Sequence, residues 1–190
     1  MLSEKVKELI KQSRIVSFTS WQDQYPQEVI DIFQQADDGG RYLTDEDIEQ
    51  IQTVMPNLAT GLAQGKLLRE KVVDLVSQAR SVVLAANPQI TEPGGGLYPP
   101  MRAEACWRDF WHFLRCISYG IGGQSISYTS DRGLDYMEQL YQELAVPLDA
   151  MVLGLEQLKF YSLNEFEPSQ QDDLAPYFDR LIESMKTFDS

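Results

Sequence analysis

The stretch Tyr98–Tyr119, YPPMRAEACWRDFWHFLRCISY, decides the fold class, because its apolar residues recur at steps of three and four. They form a purely apolar stripe made of Trp107, Phe110, Leu114, Ile117 and, just beyond the stretch, Ile121. Such a stripe is typical of a helix that packs one side against the protein interior. The sequence therefore predicts a buried, aromatic-rich helix here.

A second face of the same helix is chemically mixed. Arg102, Cys106, Asp109 and Phe113 follow one another at steps of four, three and four, so they share one face. A thiol can anchor a ligand covalently, a carboxylate can accept hydrogen bonds from protonated nitrogens, and a guanidinium can pair with a ligand carboxylate. This face therefore predicts a ligand site.

Helical periodicity continues through the rest of the chain, and no alternating strand pattern competes with it. Predicted helices cover 5–12, 27–35, 45–55, 58–86, 102–121, 134–144, 148–160 and 175–188, with Gly-, Pro-, Asn- or Ser-rich breaks between them. Thr44 and Asp47 form an acidic variant of the capping box. Gly61 and Gly65 weaken the long fourth segment, which leaves open two helices or one that bends. We expect one all-α domain of about eight helices.

Composition excludes several classes of partner. The formal net charge of -13 and the isoelectric point of about 4.4 argue against a phosphate-binding groove, so no nucleic-acid partner is expected. No run approaches the roughly 20 apolar residues of a membrane span, and the charged start MLSEKVKELIKQS lacks a signal-peptide core, so we expect a cytoplasmic chain without membrane insertion.

Catalytic and metal sites are also disfavoured. His112 is the only histidine, which excludes histidine-based triads and multi-histidine metal sites. Cys106 and Cys116 stand ten residues apart on one helix, so about 15 Å of axial rise prevents a disulfide. We interpret Cys116 as a structural residue of the packing stripe. The sequence predicts no enzyme, no catalytic residue and no metal ligand.

The segment RAEACWRD at 102–109, with LR at 114–115 and SYG at 118–120, resembles the chromophore helix of phycobiliproteins, the bilin-carrying antenna subunits of cyanobacteria and red algae. Similar segments are QADDGGRYLT at 35–44, EPGGGLY at 92–98, LYQELAVP at 140–147 and APYFD at 175–179. Because several matches fall in order over roughly residues 26–190, chance is a poor explanation. The allophycocyanin-type subunits are the most similar, and the resemblance implies a globin-like fold with an N-terminal helical arm.

The resemblance also implies a cofactor and a function. Cys106 would carry phycocyanobilin through a thioether, Asp109 would hold the inner pyrrole nitrogens, and Arg102 and Arg108 would pair with the propionates. Helical spacing supports Arg102 and Asp109 but points Arg108 away from Cys106, so Arg108 rests on the family match alone. The implied function is a light-harvesting or phycobilisome-associated subunit that transfers excitation energy.

Several departures keep an alternative open. GQS at 123–125 replaces an aspartate common in the family, and Gly96 stands where β-type subunits carry a modified asparagine. Trp107, Trp111 and His112 are bulky or unusual beside the attachment point, where they could tune a bilin or crowd it out. The alternative is a pigment-free phycobiliprotein-like adaptor or regulator that binds phycobilisome subunits.

By the same resemblance, Asp37, Arg115 and Tyr119 match residues through which subunits clasp each other, although a surface turn and an exposed arginine would explain them too. The implied partner is an allophycocyanin-type subunit or a second copy, with linker proteins as a further class. The implied location is the cytoplasmic face of the thylakoid membrane, in or near the phycobilisome.

Residues 1–25 precede the family domain, which we place at 26–190. Val6, Leu9, Ile10 and Trp21 suit either docking on a partner or packing on the same chain. We expect this extension to be separable from the domain.

Overall fold

A computed structural model describes residues 2–189 of the chain as an assembly of α-helices. The helices are α1 Glu4–Gln12, α2 Gln27–Asp38, α3 Asp45–Val54, α4 Ala59–Ala86, α5 Pro100–Gly122, α6 Asp131–Glu143, α7 Leu148–Leu163 and α8 Pro168–Lys186, and short 3₁₀ turns stand at Thr19–Trp21 and Pro56–Leu58. Within 2–189 the one β pairing is an isolated antiparallel bridge between Val16 and Thr129. The predicted all-α class, with eight helices and an N-terminal arm, is confirmed. In this part of the chain, no helix is long and apolar enough to span a bilayer.

Helix α5 lies at the centre, packed against α4, α7 and α8. Its apolar stripe is buried as predicted, and the side chains of Phe110, Leu114 and Ile117 have no exposed surface. Gly154 of α7 makes room for Phe110, since a Cβ there would stand 1.9 Å from the tip of that ring. The stripe therefore seats α5 in the core and leaves its mixed face to form the site.

Helix α4 runs unbroken over 28 residues, which resolves the alternative left open by its glycines. A Cβ on Gly61 would stand 2.3 Å from the carbonyl oxygen of Ile121, and one on Gly65 would stand 3.1 Å from that of Ser118. These glycines allow the backbones of α4 and α5 to approach closely, which offsets their low helix propensity.

The ends of two other helices differ in how well the sequence predicted them. The capping box is confirmed, because Thr44 Oγ1 accepts from the Asp47 amide at 3.1 Å and Asp47 Oδ2 accepts from the Thr44 amide at 2.8 Å. The predicted start of the last helix at 175 is wrong, because α8 begins at Pro168 and continues through Pro176. Proline suits the first helical position, and Pro176 removes only one backbone hydrogen bond from a helix whose apolar face is buried.

The N-terminal arm, residues 4–21, packs on its own domain. Helix α1 lies against α6, and the Ser130 amide donates to the Ile15 carbonyl at 2.8 Å. Trp21 is 1% exposed, and its Nε1 donates to the Ser127 carbonyl at 2.9 Å. Its ring meets that of Phe33 edge-on, with the centroids 5.0 Å apart. Of the two alternatives for the extension, the structure therefore shows packing on the same chain, while a domain boundary at residue 26 stays a prediction.

This packing predicts that Trp21→Ala lowers the free energy of unfolding by about 3–5 kcal/mol, because truncating a buried aromatic leaves a cavity. Chemical denaturation of the purified chain measures the effect. The control is Asp23→Ala, an exposed residue two positions on, for which we expect a change within about 0.5 kcal/mol. Unchanged stability in Trp21→Ala would instead support the separable extension expected from the sequence.

Candidate functional site

A cavity of about 550 Å³ opens between α5, α6 and the arm. Its volume lies within the range of roughly 300–1,000 Å³ that small-molecule sites occupy. Arg102, Cys106, Arg108 and Asp109 all line it, so the structure brings the four predicted ligand residues to one place. His112 also lines the cavity, whereas Trp107 belongs to the buried stripe on the other side of α5.

Cys106 lies deep in the cavity wall. Its side chain is 4% exposed, and its Sγ is 2.9 Å from Sδ of Met151 on α7. Burial, together with the nearby Asp109 carboxylate, raises the pKa of the Cys106 thiol well above its usual range. The resting side chain is therefore a neutral thiol, and a reagent must reach it inside the cavity.

Asp109 is held by a residue that the site prediction missed. The hydroxyl of Tyr141 donates to Asp109 Oδ2 at 3.0 Å. Burial raises the pKa of Asp109 to about 6, while this hydrogen bond and the nearby Arg108 charge act in the opposite direction. Tyr141 stands in the segment LYQELAVP at 140–147, which carried part of the family resemblance, so a signal for it was present.

The two arginines have different surroundings. Arg102 donates from Nε to the Gly96 carbonyl at 3.1 Å and from Nη2 to the carbonyls of Leu144 and Ala145 at 2.7 and 2.8 Å. It thereby ties the start of α5 to the segment after α6. Arg108 lines the cavity despite the direction that helical spacing indicated, and within residues 2–189 its guanidinium makes no ion pair or hydrogen bond. Arg108 is therefore the guanidinium that is available to a ligand carboxylate.

Asp37, Arg115 and Tyr119 meet inside one chain. Arg115 Nη1 donates to Asp37 Oδ1 at 2.8 Å and to the Tyr119 hydroxyl at 2.8 Å. Arg14 of the arm donates to Asp37 Oδ2 at 2.5 Å and to Asp38. Asp37, Arg115 and Tyr119 are buried, so the exposed-arginine alternative does not hold for the chain by itself. Their role at a subunit interface stays a prediction.

Comparison with known proteins identifies the family. A family model described as "Phycobilisome protein" matches residues 31–185. The chain belongs to this phycobilisome protein family. Among its similar relatives, allophycocyanin subunit alpha-B of Synechocystis sp. is 29% identical over 157 residues, covering 83% of this chain and 98% of the relative. Allophycocyanin subunit alpha-B of Nostoc sp. is 30% identical over 154 residues, covering 80% and 94%.

A relative of another subunit type is also similar. Allophycocyanin subunit beta-18 of Cyanidium caldarium is 32% identical over 131 residues, covering 69% of this chain and 77% of the relative. The chain is therefore a divergent, allophycocyanin-like member of the phycobilisome protein family, with the globin-like all-α fold that the resemblance implied. The matched region begins after the arm, which covers residues 4–21.

The raised pKa of Asp109 predicts a pH-dependent stability. The folded chain keeps the Asp109 proton to about pH 6, whereas the unfolded chain loses it near pH 4. The folded state binds more protons between these values, so this contribution to stability is complete below about pH 4 and is lost as pH rises through about 6. Asp109→Asn cannot ionise but can still accept from Tyr141. It should be more stable than the native chain above pH 7 by about 3 kcal/mol, and equally stable at pH 4.

Chemical denaturation of the pigment-free chain from pH 4 to pH 8 checks this expectation. The matched control is Asp74→Asn, an exposed carboxylate on α4, which should show no such pH-dependent gain. A constant difference between Asp109→Asn and the native chain across the range would contradict the assignment.

Proposed function

We propose that this chain is a light-harvesting subunit that carries phycocyanobilin as a thioether on Cys106 and passes excitation energy to neighbouring pigments. The observation that carries the proposal is that the Cys106 thiol and the Asp109 carboxylate line one cavity of about 550 Å³. The similarity to allophycocyanin subunits supports the same conclusion. A carrier of this kind is a pigment protein and not an enzyme.

The residues around the cavity fit a linear tetrapyrrole. Part of the cavity wall is apolar and is formed by Met137, Leu140 and Met151. Such a wall suits the flat faces of a conjugated ligand. Asp109 can accept hydrogen bonds from protonated pyrrole nitrogens, and a positive charge beside it would favour its ionised form. Arg108 has no ion-pair partner within residues 2–189 and can bind a propionate.

Attachment would use the Cys106 thiol alone. The thiol would add across a carbon–carbon double bond of the bilin, so that one C–S bond would form in place of the S–H bond and the π bond, the proton would pass to the neighbouring carbon, and no oxidant would be needed. A bilin held extended between Asp109 and the cavity walls would lose less excitation to torsional motion. The protein's contribution is therefore a rigid enclosure with a fixed charge.

The decisive experiment is co-expression of the chain with bilin-synthesis enzymes and a panel of bilin lyases. We expect a coloured product whose denatured band fluoresces with zinc, and we expect Cys106→Ala to abolish that band. Cys116→Ala is the matched control, because Cys116 lies on the same helix and is also buried. It should retain the pigment if it folds, and its native circular dichroism shows whether it has folded.

The second candidate function is the pigment-free adaptor. It is favoured by the burial of Cys106 behind Met151, which leaves the thiol 4% exposed. A colourless native chain with every lyase, or unchanged colour in Cys106→Ala, would support the adaptor and contradict pigment attachment at Cys106.

We also propose that the chain associates with an allophycocyanin-type subunit or with a second copy, through the surface around Asp37, Arg115 and Tyr119. The family assignment supports such a partner, and linker proteins are a further proposed class. The proposed location is the cytoplasmic face of the thylakoid membrane, in or near the phycobilisome. Arg115→Glu is a poor probe, because reversing a buried, paired charge would destabilise the fold itself.

Asp38 offers a cleaner test, since it is exposed on α2 beside the buried cluster. If this surface pairs with a partner, Asp38→Lys should weaken pairing roughly tenfold by changing the charge that the partner meets. Asp31→Lys, an exposed change on the same helix, is the control and should have little effect. Sedimentation velocity of the chain, alone and mixed with allophycocyanin subunits, measures pairing. A monomer under both conditions would contradict the proposal.

A further inference from the structure

One wall of the cavity comes from a part of the chain that the family model does not match. Ile10, Ser13, Arg14 and Ile15 of the arm line the cavity, together with residues that α5 and α6 contribute. The family match begins at residue 31, so this wall is a feature of the present chain and not of the matched region. The arm therefore belongs to the ligand cavity as well as to the fold.

Specific contacts hold this wall against α6. A Cβ on Gly133 would stand 1.7 Å from the Arg14 carbonyl oxygen, so only glycine allows the arm to lie this close to α6. Beyond the wall, Val6 and Leu9 bury the apolar face of α1, and Lys5 forms an ion pair with Glu143. Neither Val6 nor Leu9 lines the cavity, so they hold the wall without being part of it.

Of the walls formed by α1 and α5, the wall on α1 can open at the lower cost. Helix α5 is anchored by side chains that are buried along its length, whereas α1 buries only Val6 and Leu9. The ion pair of Lys5 with Glu143 lies at the surface, where such pairs contribute little stability, and the pair of Arg14 with the buried Asp37 lies beyond the end of α1. Segments with few buried contacts open locally without global unfolding.

We propose that residues 10–15 close the ligand cavity, so that undocking of α1 gives a ligand access to Cys106 and redocking packs the arm against that ligand. This inference deepens the proposed function and, for the identity of the ligand as a bilin, rests on it. Ile15 is buried and accepts a hydrogen bond from the Ser130 amide, and Trp21 is also buried, so the chain after α1 stays on the domain and the moving part is α1.

The test measures how fast iodoacetamide alkylates Cys106 in the folded, pigment-free chain, with mass spectrometry resolving Cys106 from Cys116. Leu9→Ala removes a buried contact of α1 without altering the cavity lining. We expect it to accelerate alkylation of Cys106 by about tenfold or more, since truncating a buried leucine weakens docking by at least that factor. The control is Leu174→Ala on α8, which is also buried and lies outside the cavity.

Chemical denaturation gives the stability loss of both variants, so their alkylation rates can be compared at the same loss. Acceleration in Leu9→Ala beyond that of Leu174→Ala supports opening of the arm. Equal acceleration at equal stability loss would mean that Cys106 is reached by global unfolding, and the proposal would be overturned.

A substitution at the exposed residue Ile10 tests the same proposal without removing a buried side chain, so a folding defect is not expected. Ile10 lines the cavity but is 49% exposed, so Ile10→Trp should be tolerated while it narrows the cavity. We expect it to slow alkylation of Cys106 roughly threefold or more relative to Lys7→Trp, an exposed change on the same helix that lies outside the cavity. Equal rates in the two tryptophan variants would contradict a wall at residues 10–15.

The experiments distinguish failure of the proposal that residues 10–15 close the cavity from failure of the proposed function. If the native chain stays colourless with every lyase but Leu9→Ala specifically accelerates alkylation of Cys106, pigment attachment is contradicted and closure of the cavity by residues 10–15 is supported. If the native chain is coloured but Leu9→Ala does not specifically accelerate alkylation of Cys106, pigment attachment is supported and closure of the cavity by residues 10–15 is contradicted.

Discussion

The burial of α5 is the constraint on which the rest of the structure depends. One side of this helix fills the core, and α4 and α7 approach it through Gly61, Gly65 and Gly154. Interiors are packed too tightly to allow α5 much rotation about its axis, so the opposite face is presented to the cavity in a fixed orientation. The positions of Cys106 and Asp109 therefore follow from packing on the other side of the same helix.

The pairing of buried polar groups is a second constraint on the structure. Asp37 receives hydrogen bonds from Arg115 of α5 and from Arg14 of the arm, and this one carboxylate thereby links three parts of the chain. An unpaired charge in such a place would be costly, so the contacts favour a single arrangement of arm, α2 and α5. Asp109 contrasts with it, because within residues 2–189 its partly buried carboxyl has the Tyr141 hydroxyl as its one hydrogen-bond partner and keeps its proton to about pH 6. A group of this kind is suited to a positively charged ligand.

Helix boundaries and packing show which features local sequence patterns can predict. The apolar stripe of α5 and the capping box at Thr44 were predictable, because each depends on residues close in sequence. The start of α8 at Pro168 was not, since proline disfavours helix interiors and the burial that outweighs Pro176 comes from other helices. The glycines of α4 were ambiguous for the same reason, because the approach of α5 that they permit is a tertiary contact.

By itself, the sequence determined the all-α class, the resemblance to phycobiliproteins, and the shared face of Arg102, Cys106 and Asp109, because these depend on periodicity and on the order of motifs. Only the tertiary structure decided that Arg102 is held by backbone carbonyls, whereas the Arg108 guanidinium makes no ion pair or hydrogen bond within residues 2–189. It alone also placed the arm at the cavity, beside α5 and α6. These outcomes depend on contacts between residues distant in the chain, and no local pattern records which distant groups will meet.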